Sequence, residues 1–169
     1  MLIDQAGIAS KMNNKKIAYY GMGIALYVVL SLTIKIPLIN HIKTDFGYVV
    51  FGAFLNLFGA EATIVGVAGC ILSNMLTGGS FPIGWIIGQL FIGISCGLFF
   101  RKTDKMWLKI LFAIASVFIG IAVIKTAVEV IFFNLALEAK IIRSLVAFVA
   151  DAIPMALGLL ISTKIKVRE

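Results

Sequence analysis

Long apolar runs dominate the chain, each closed by charge, glycine or proline. Six such spans can be marked off, and they predict an all-α membrane protein with six transmembrane helices. The first covers residues 17–34, behind Lys15 and Lys16, and is followed by a loop, 35–46, broken at Pro37. Spans two and three, 47–60 and 62–77, are separated only by a tight joint at Gly59, Ala60 and Glu61. Each is short against the roughly 20 residues a crossing takes, so one of them is expected to be tilted, kinked or not fully transmembrane. The fourth follows a turn of Gly78, Gly79, Ser80 and Pro82 and ends at Phe100. The fifth, 107–133, is unusually long, and the sixth, 141–163, contains Pro154, where a kink is expected.

Composition removes the soluble alternative. With 61% hydrophobic and 14% charged residues and a mean hydropathy of +1.07, there is too little polar surface to cover a globule in water. The formal charge of +7 would suit a nucleic-acid binder if it formed a stripe with interleaved aromatics, but the cations sit at span ends instead. Lys11, Lys15, Lys16, Arg101, Lys102, Lys105, Lys109, Lys164, Lys166 and Arg168 fall on one side of the predicted topology; Lys35, Lys43, Lys125, Lys140 and Arg143 fall on the other. The positive-inside bias therefore places the N and C termini in the cytoplasm.

The first residues lack the basic start, apolar middle and small-residue cleavage site of a signal peptide. MNNKK, from Met12 to Lys16, reads as a second start, so residues 1–14 are expected to be an N-terminal extension and 15–169 a single six-helix transmembrane domain. Cys70 and Cys96 stand alone in apolar runs, without the spacing of a metal or redox centre, and read as buried free thiols.

The candidate chemistry lies in the few polar residues inside the spans. No nucleophile with its base, no metal-ligand spacing and no phosphate-cradling loop is visible; Gly78–Ser80 reads as a turn. An enzyme is not expected, and no cofactor is implied. Lys125 and Glu129 form an i, i+4 pair on one helical face. Asp151 lies near the middle of the last span with no cation within one turn, so it needs a partner from another helix, such as Lys125, or a polar ligand. Asn56 and Asn74 each reads as a bond to a neighbouring helix, Asn74 having the better claim to a ligand.

Asn74, Trp85, Gln89, Lys125, Glu129, Asn134 and Asp151 thus gather in the outer half of the bundle, with His41 of the first loop as a further candidate. An aromatic face, amides and charges in an apolar cavity suit a small, flat, polar ligand. Two other readings stay open: an autonomous proton-coupled carrier relaying through Asp151 or Glu129, and an assembly subunit with no ligand. Ala18, Gly21 and Ala25 make a small-residue ridge on the first span, fit for packing inside the bundle or for docking a membrane partner.

The run from Phe51 to Phe100 resembles the substrate-binding membrane subunit, or S component, of energy-coupling factor (ECF) vitamin transporters, in the riboflavin-type branch. Phe58, Gly59, Gly66 and Gly69 match the first part of the motif, and Gly78, Gly79, Gly84, Trp85, Ile87 and Gly88 the second; Glu61 stands near where the family often has proline. The resemblance implies a bacterial plasma-membrane protein that binds a vitamin or cofactor precursor, riboflavin or a similarly flat heterocycle such as a queuosine precursor. It also implies partners: a transmembrane coupling protein and two ATPase subunits, with Ala18, Gly21 and Ala25 in the position of the family's docking ridge.

Overall fold

The computed structural model describes the backbone of residues 2–34, 36, 44–79, 81–133 and 137–165, with side chains from residue 14 onward except Phe133, Leu137 and Ala139. His41 and Asn134, both candidate site residues, lie outside the described residues. Every regular element among the described residues is helical: α1 (Leu2–Thr33), α2 (Gly47–Phe58), α3 (Thr63–Leu76), α4 (Ile83–Phe100), α5 (Met106–Val117), α6 (Thr126–Phe133) and α7 (Leu137–Ser162). A 3-10 turn, Gly59–Ala62, joins α2 to α3, and a π-helical stretch, Phe118–Lys125, joins α5 to α6. Residues 2–14 continue the helix of the first span. Five helical segments are long and apolar enough to cross a membrane, with 47–76 counted as one of 30 residues.

That segment is not one rod. Gly59 has φ 68°, a left-handed conformation open to glycine, and α2 stops there. Tyr27 of α1 then lies against both Gly47 and Gly69, and Phe51 against Gly66. Those pairings run α2 and α3 side by side in opposite directions. Rods of 12 and 14 residues reach only about 18–21 Å at 1.5 Å per residue, which bears out the expected shortness. Glu61 fastens the joint by accepting from Lys16 Nζ and Tyr20 Oη, both at 2.9 Å, with Arg101 Nη2 3.8 Å away. Glu61 is therefore a tie between α1, the joint and the end of α4.

The long fifth span bends its ladder instead of breaking. Through the π stretch the backbone makes wider turns, which shifts the phase of the residues that follow and turns Lys125 inward, to 4% exposure. Gly120 within it comes so close to Gly88 of α4 that a Cβ on Gly88 would stand 2.7 Å from the Gly120 carbonyl. Around this contact the core is formed by Tyr27, Tyr48, Phe51, Leu55, Ile92 and Met155, all buried. Large apolar side chains such as Met75, Leu111 and Ile131 are exposed on the outside, as expected where the solvent is hydrocarbon. Pro154 lies inside α7 with the helix continuous through it.

Candidate functional site

Five elements converge at the end of the bundle opposite Glu61. They enclose a cavity of about 200 Å³ lined by Ser31 and Leu32 of α1, Thr44 and Asp45 before α2, Cys70, Ser73 and Asn74 of α3 with Thr77 at its C-terminal cap, Trp85 and Gln89 of α4, and Asp151 of α7. Apart from Thr44 and Asp45, each polar group is delivered by the end or middle of an otherwise apolar helix. Asn74, Trp85, Gln89 and Asp151, singled out from sequence, are thus brought together.

Beneath the cavity runs a hydrogen-bonded chain. Gln89 Nε2 donates to Tyr27 Oη at 2.9 Å and, more weakly, to Tyr48 Oη at 3.5 Å. Tyr27 in turn donates to Asp45 Oδ2 at 3.0 Å. The Asp45 carboxylate also accepts from the Gly47 N–H at the start of α2 at 2.8 Å, and the Asp45 N–H donates to Asp151 Oδ1 at 3.2 Å. Asp151, 2% exposed, thus finds its hydrogen-bond partner in the backbone before α2, while Lys125 acts on it through its charge and not through direct contact.

Lys125 and Glu129 stand behind the cavity wall. They pair at 3.2 Å, as their spacing predicts, and Lys140 of α7 reaches the other Glu129 oxygen at 2.8 Å. Lys125 Nζ lies 4.4 Å from the centroid of the Trp85 ring. Cation–π attraction therefore holds one side of the indole. A side chain at Gly84 would crowd both Lys125 and Glu129 within 3.1–3.3 Å, so glycine there makes room for the pair. Thr126 extends the polar seam to α7 through Ser144 Oγ at 2.7 Å.

Sequence reasoning missed Ser31, Thr44, Ser73, Thr77 and the two tyrosines, and gave Asp45 no role in the site. A usable signal was present on α3, where Ser73 and Thr77 are four residues apart and flank Asn74. The ridge residues Ala18, Gly21 and Ala25 are all exposed, beside exposed Ile17, Met22, Leu26 and Val29. A Cβ on Gly21 would meet nothing within 4 Å. Packing inside the bundle is therefore not what this ridge does. A larger apolar groove, about 530 Å³, lies between Ile36, Phe46 and α7; with Thr44 its one polar lining residue among the described residues, these offer little to orient a ligand.

A helical bundle that faces hydrocarbon and holds a polar-walled cavity at one end defines a membrane protein able to bind a small molecule. The chain belongs to the family described as ECF-type riboflavin transporter, S component, whose model matches residues 11–166. Its members are transport subunits, not enzymes; they bind a small vitamin substrate and partner with an ECF module. Two UPF0397 proteins of Streptococcus thermophilus are relatives, one from strain LMD-9 at 26% identity over 149 residues and one from strain LMG 18311 at 25% over 151; each match covers 82% of both chains. The fold is that of a crystallised S component for biotin from an ECF-type ABC transporter, with a TM-score of 0.69 at 18% identity over 91% of this chain and 92% of the other.

Proposed function

We propose that this chain is the substrate-capturing subunit of an ECF-type importer in the bacterial plasma membrane, taking a vitamin or cofactor precursor from outside. Riboflavin or a similarly flat heterocycle, such as a queuosine precursor, is the ligand class, and the cavity walled by Trp85, Gln89, Asn74 and Asp151 is its site. The observation that carries this is a space among apolar helices whose lining is largely polar. Trp85 supplies the stacking face, held from behind by Lys125 and Glu129, while the amides and Asp151 read the ligand's edge. His41 and Asn134 join the site in this reading.

Residues 15–169 form the substrate-binding domain, with residues 1–14 as an extension. In this reading the chain makes six crossings with both termini in the cytoplasm, supported by the reversal at Gly59 and by Lys16, Arg101, Lys109 and Lys164 lying toward the Glu61 end. The cavity then opens outward. Energy comes from a transmembrane coupling protein and two ATPase subunits, which dock on the exposed ridge of Ala18, Gly21 and Ala25.

The chain has two tryptophans, and Trp107, 63% exposed, lies away from the cavity. In a Trp107→Phe background, titration with a vitamin panel is expected to quench Trp85 fluorescence saturably for one compound. No response to any member overturns the reading. For the ridge, Ala25→Trp is expected to leave that titration unchanged while abolishing uptake with the coupling module; retained uptake would contradict docking there.

A further inference from the structure

Most protons carried by the side chains around the cavity are already committed to the protein. Tyr27 gives its hydroxyl proton to Asp45, so its lone pair must be what receives the Gln89 N–H, which fixes the direction of that amide. Gln89 Oε1 is left as a buried acceptor without a partner among the described residues, on a cavity-lining side chain 1% exposed.

The same accounting holds along α3. Ser73 donates to the Cys70 carbonyl at 3.1 Å, and Asn74 Nδ2 donates to the same carbonyl at 2.9 Å and to Cys70 Sγ at 3.6 Å. Thr77 donates to the Ser73 and Asn74 carbonyls at 3.1 and 2.9 Å. What these side chains still offer is Asn74 Oδ1 and hydroxyl lone pairs. Asp151 accepts one bond, from the Asp45 N–H, and has lone pairs to spare. Against these acceptors the described lining sets the hydroxyls of Ser31 and Thr44 and the indole N–H of Trp85. Lys125 is turned to Trp85 and Glu129 and does not line the cavity.

A buried acceptor without a donor costs free energy that a ligand N–H recovers, whereas a ligand carboxylate or carbonyl sets acceptor against acceptor. We infer that the ligand is a flat nitrogen heterocycle whose edge carries amino N–H donors, of the amino-pyrimidine or amino-purine kind, neutral or cationic, and not a carboxylate-bearing vitamin. This rests on the cavity being the substrate site, as proposed above. It narrows that reading, since the dione edge of riboflavin has a single N–H between two carbonyls, while an amino edge presents donors to both Gln89 Oε1 and Asp151.

The test is calorimetric titration of the purified full chain with thiamine, guanine, riboflavin, biotin and pantothenate, repeated on Asp151→Asn. An amino-bearing probe is expected to bind at least ten times more tightly than riboflavin and either carboxylate. Asp151→Asn is expected to weaken it roughly 10- to 100-fold, the scale of leaving a buried hydrogen-bonding group unsatisfied. Tightest binding of riboflavin, biotin or pantothenate overturns the inference and leaves the transport-subunit reading standing; an unchanged affinity in Asp151→Asn overturns the role given to the carboxylate. Binding of no probe, with no small molecule co-purifying, overturns both. Should Asp151→Asn fail to fold, the ranking on the unaltered chain decides.

Discussion

Two amides in this bundle behave differently. Asn56, toward the Glu61 end, uses both halves of its side chain: Nδ2 donates to Ser162 Oγ of α7 at 2.8 Å and Oδ1 accepts from Lys109 Nζ of α5 at 2.7 Å. Gln89, at the other end, uses only its Nε2, and its oxygen has no partner among the described residues. Both are polar residues in apolar helices, and a hydropathy profile treats them alike. What separates a fastening from a site is leftover hydrogen-bond capacity beside an open space. Glu61 repeats the first case with Lys16, Tyr20 and Arg101; Asn74 and Asp151 repeat the second.

Changing one end and then the other should therefore give opposite results. Gln89→Leu removes a buried acceptor the protein does not satisfy, so ligand affinity is expected to fall about 10- to 100-fold. The thermal midpoint of the ligand-free protein should hold or rise, although Tyr27 loses a donor. Asn56→Leu strands Lys109 and Ser162, and should cost about 1–3 kcal/mol of stability while titration of the ligand is unaffected. Reversed outcomes for these two would exchange the roles assigned to the two ends. Glu61→Gln is the smallest case. Its partners are half-exposed, so a loss below about 1 kcal/mol, shrinking further at high salt, is expected in denaturation curves, again with ligand binding intact.

The spans were legible because apolar runs and their punctuation survive in one dimension. The joint at Gly59–Glu61, the Lys125–Glu129 pair and the small residues that let α4 approach its neighbours all depend on short spacings. The floor of the cavity was not legible. Tyr27 and Tyr48 look like ordinary apolar-span residues, and Asp45 looks like a loop carboxylate, until folding sets residues 18 and 106 positions away beside it. Asp151 was recognised as needing a partner from elsewhere, but a backbone N–H leaves no mark in sequence. Nor could the π stretch be read, because a uniformly apolar segment such as Phe118–Ile124 carries no phase to show where a helix widens.

Native mass spectrometry of the chain purified from its own membrane puts the central claim to its most direct test. A single small molecule should be found bound to the unaltered protein and to Asn56→Leu, and at much reduced occupancy on Gln89→Leu. Undiminished occupancy on Gln89→Leu, or loss from Asn56→Leu alone, would show that the space between Trp85 and Asp151 is not where the guest resides.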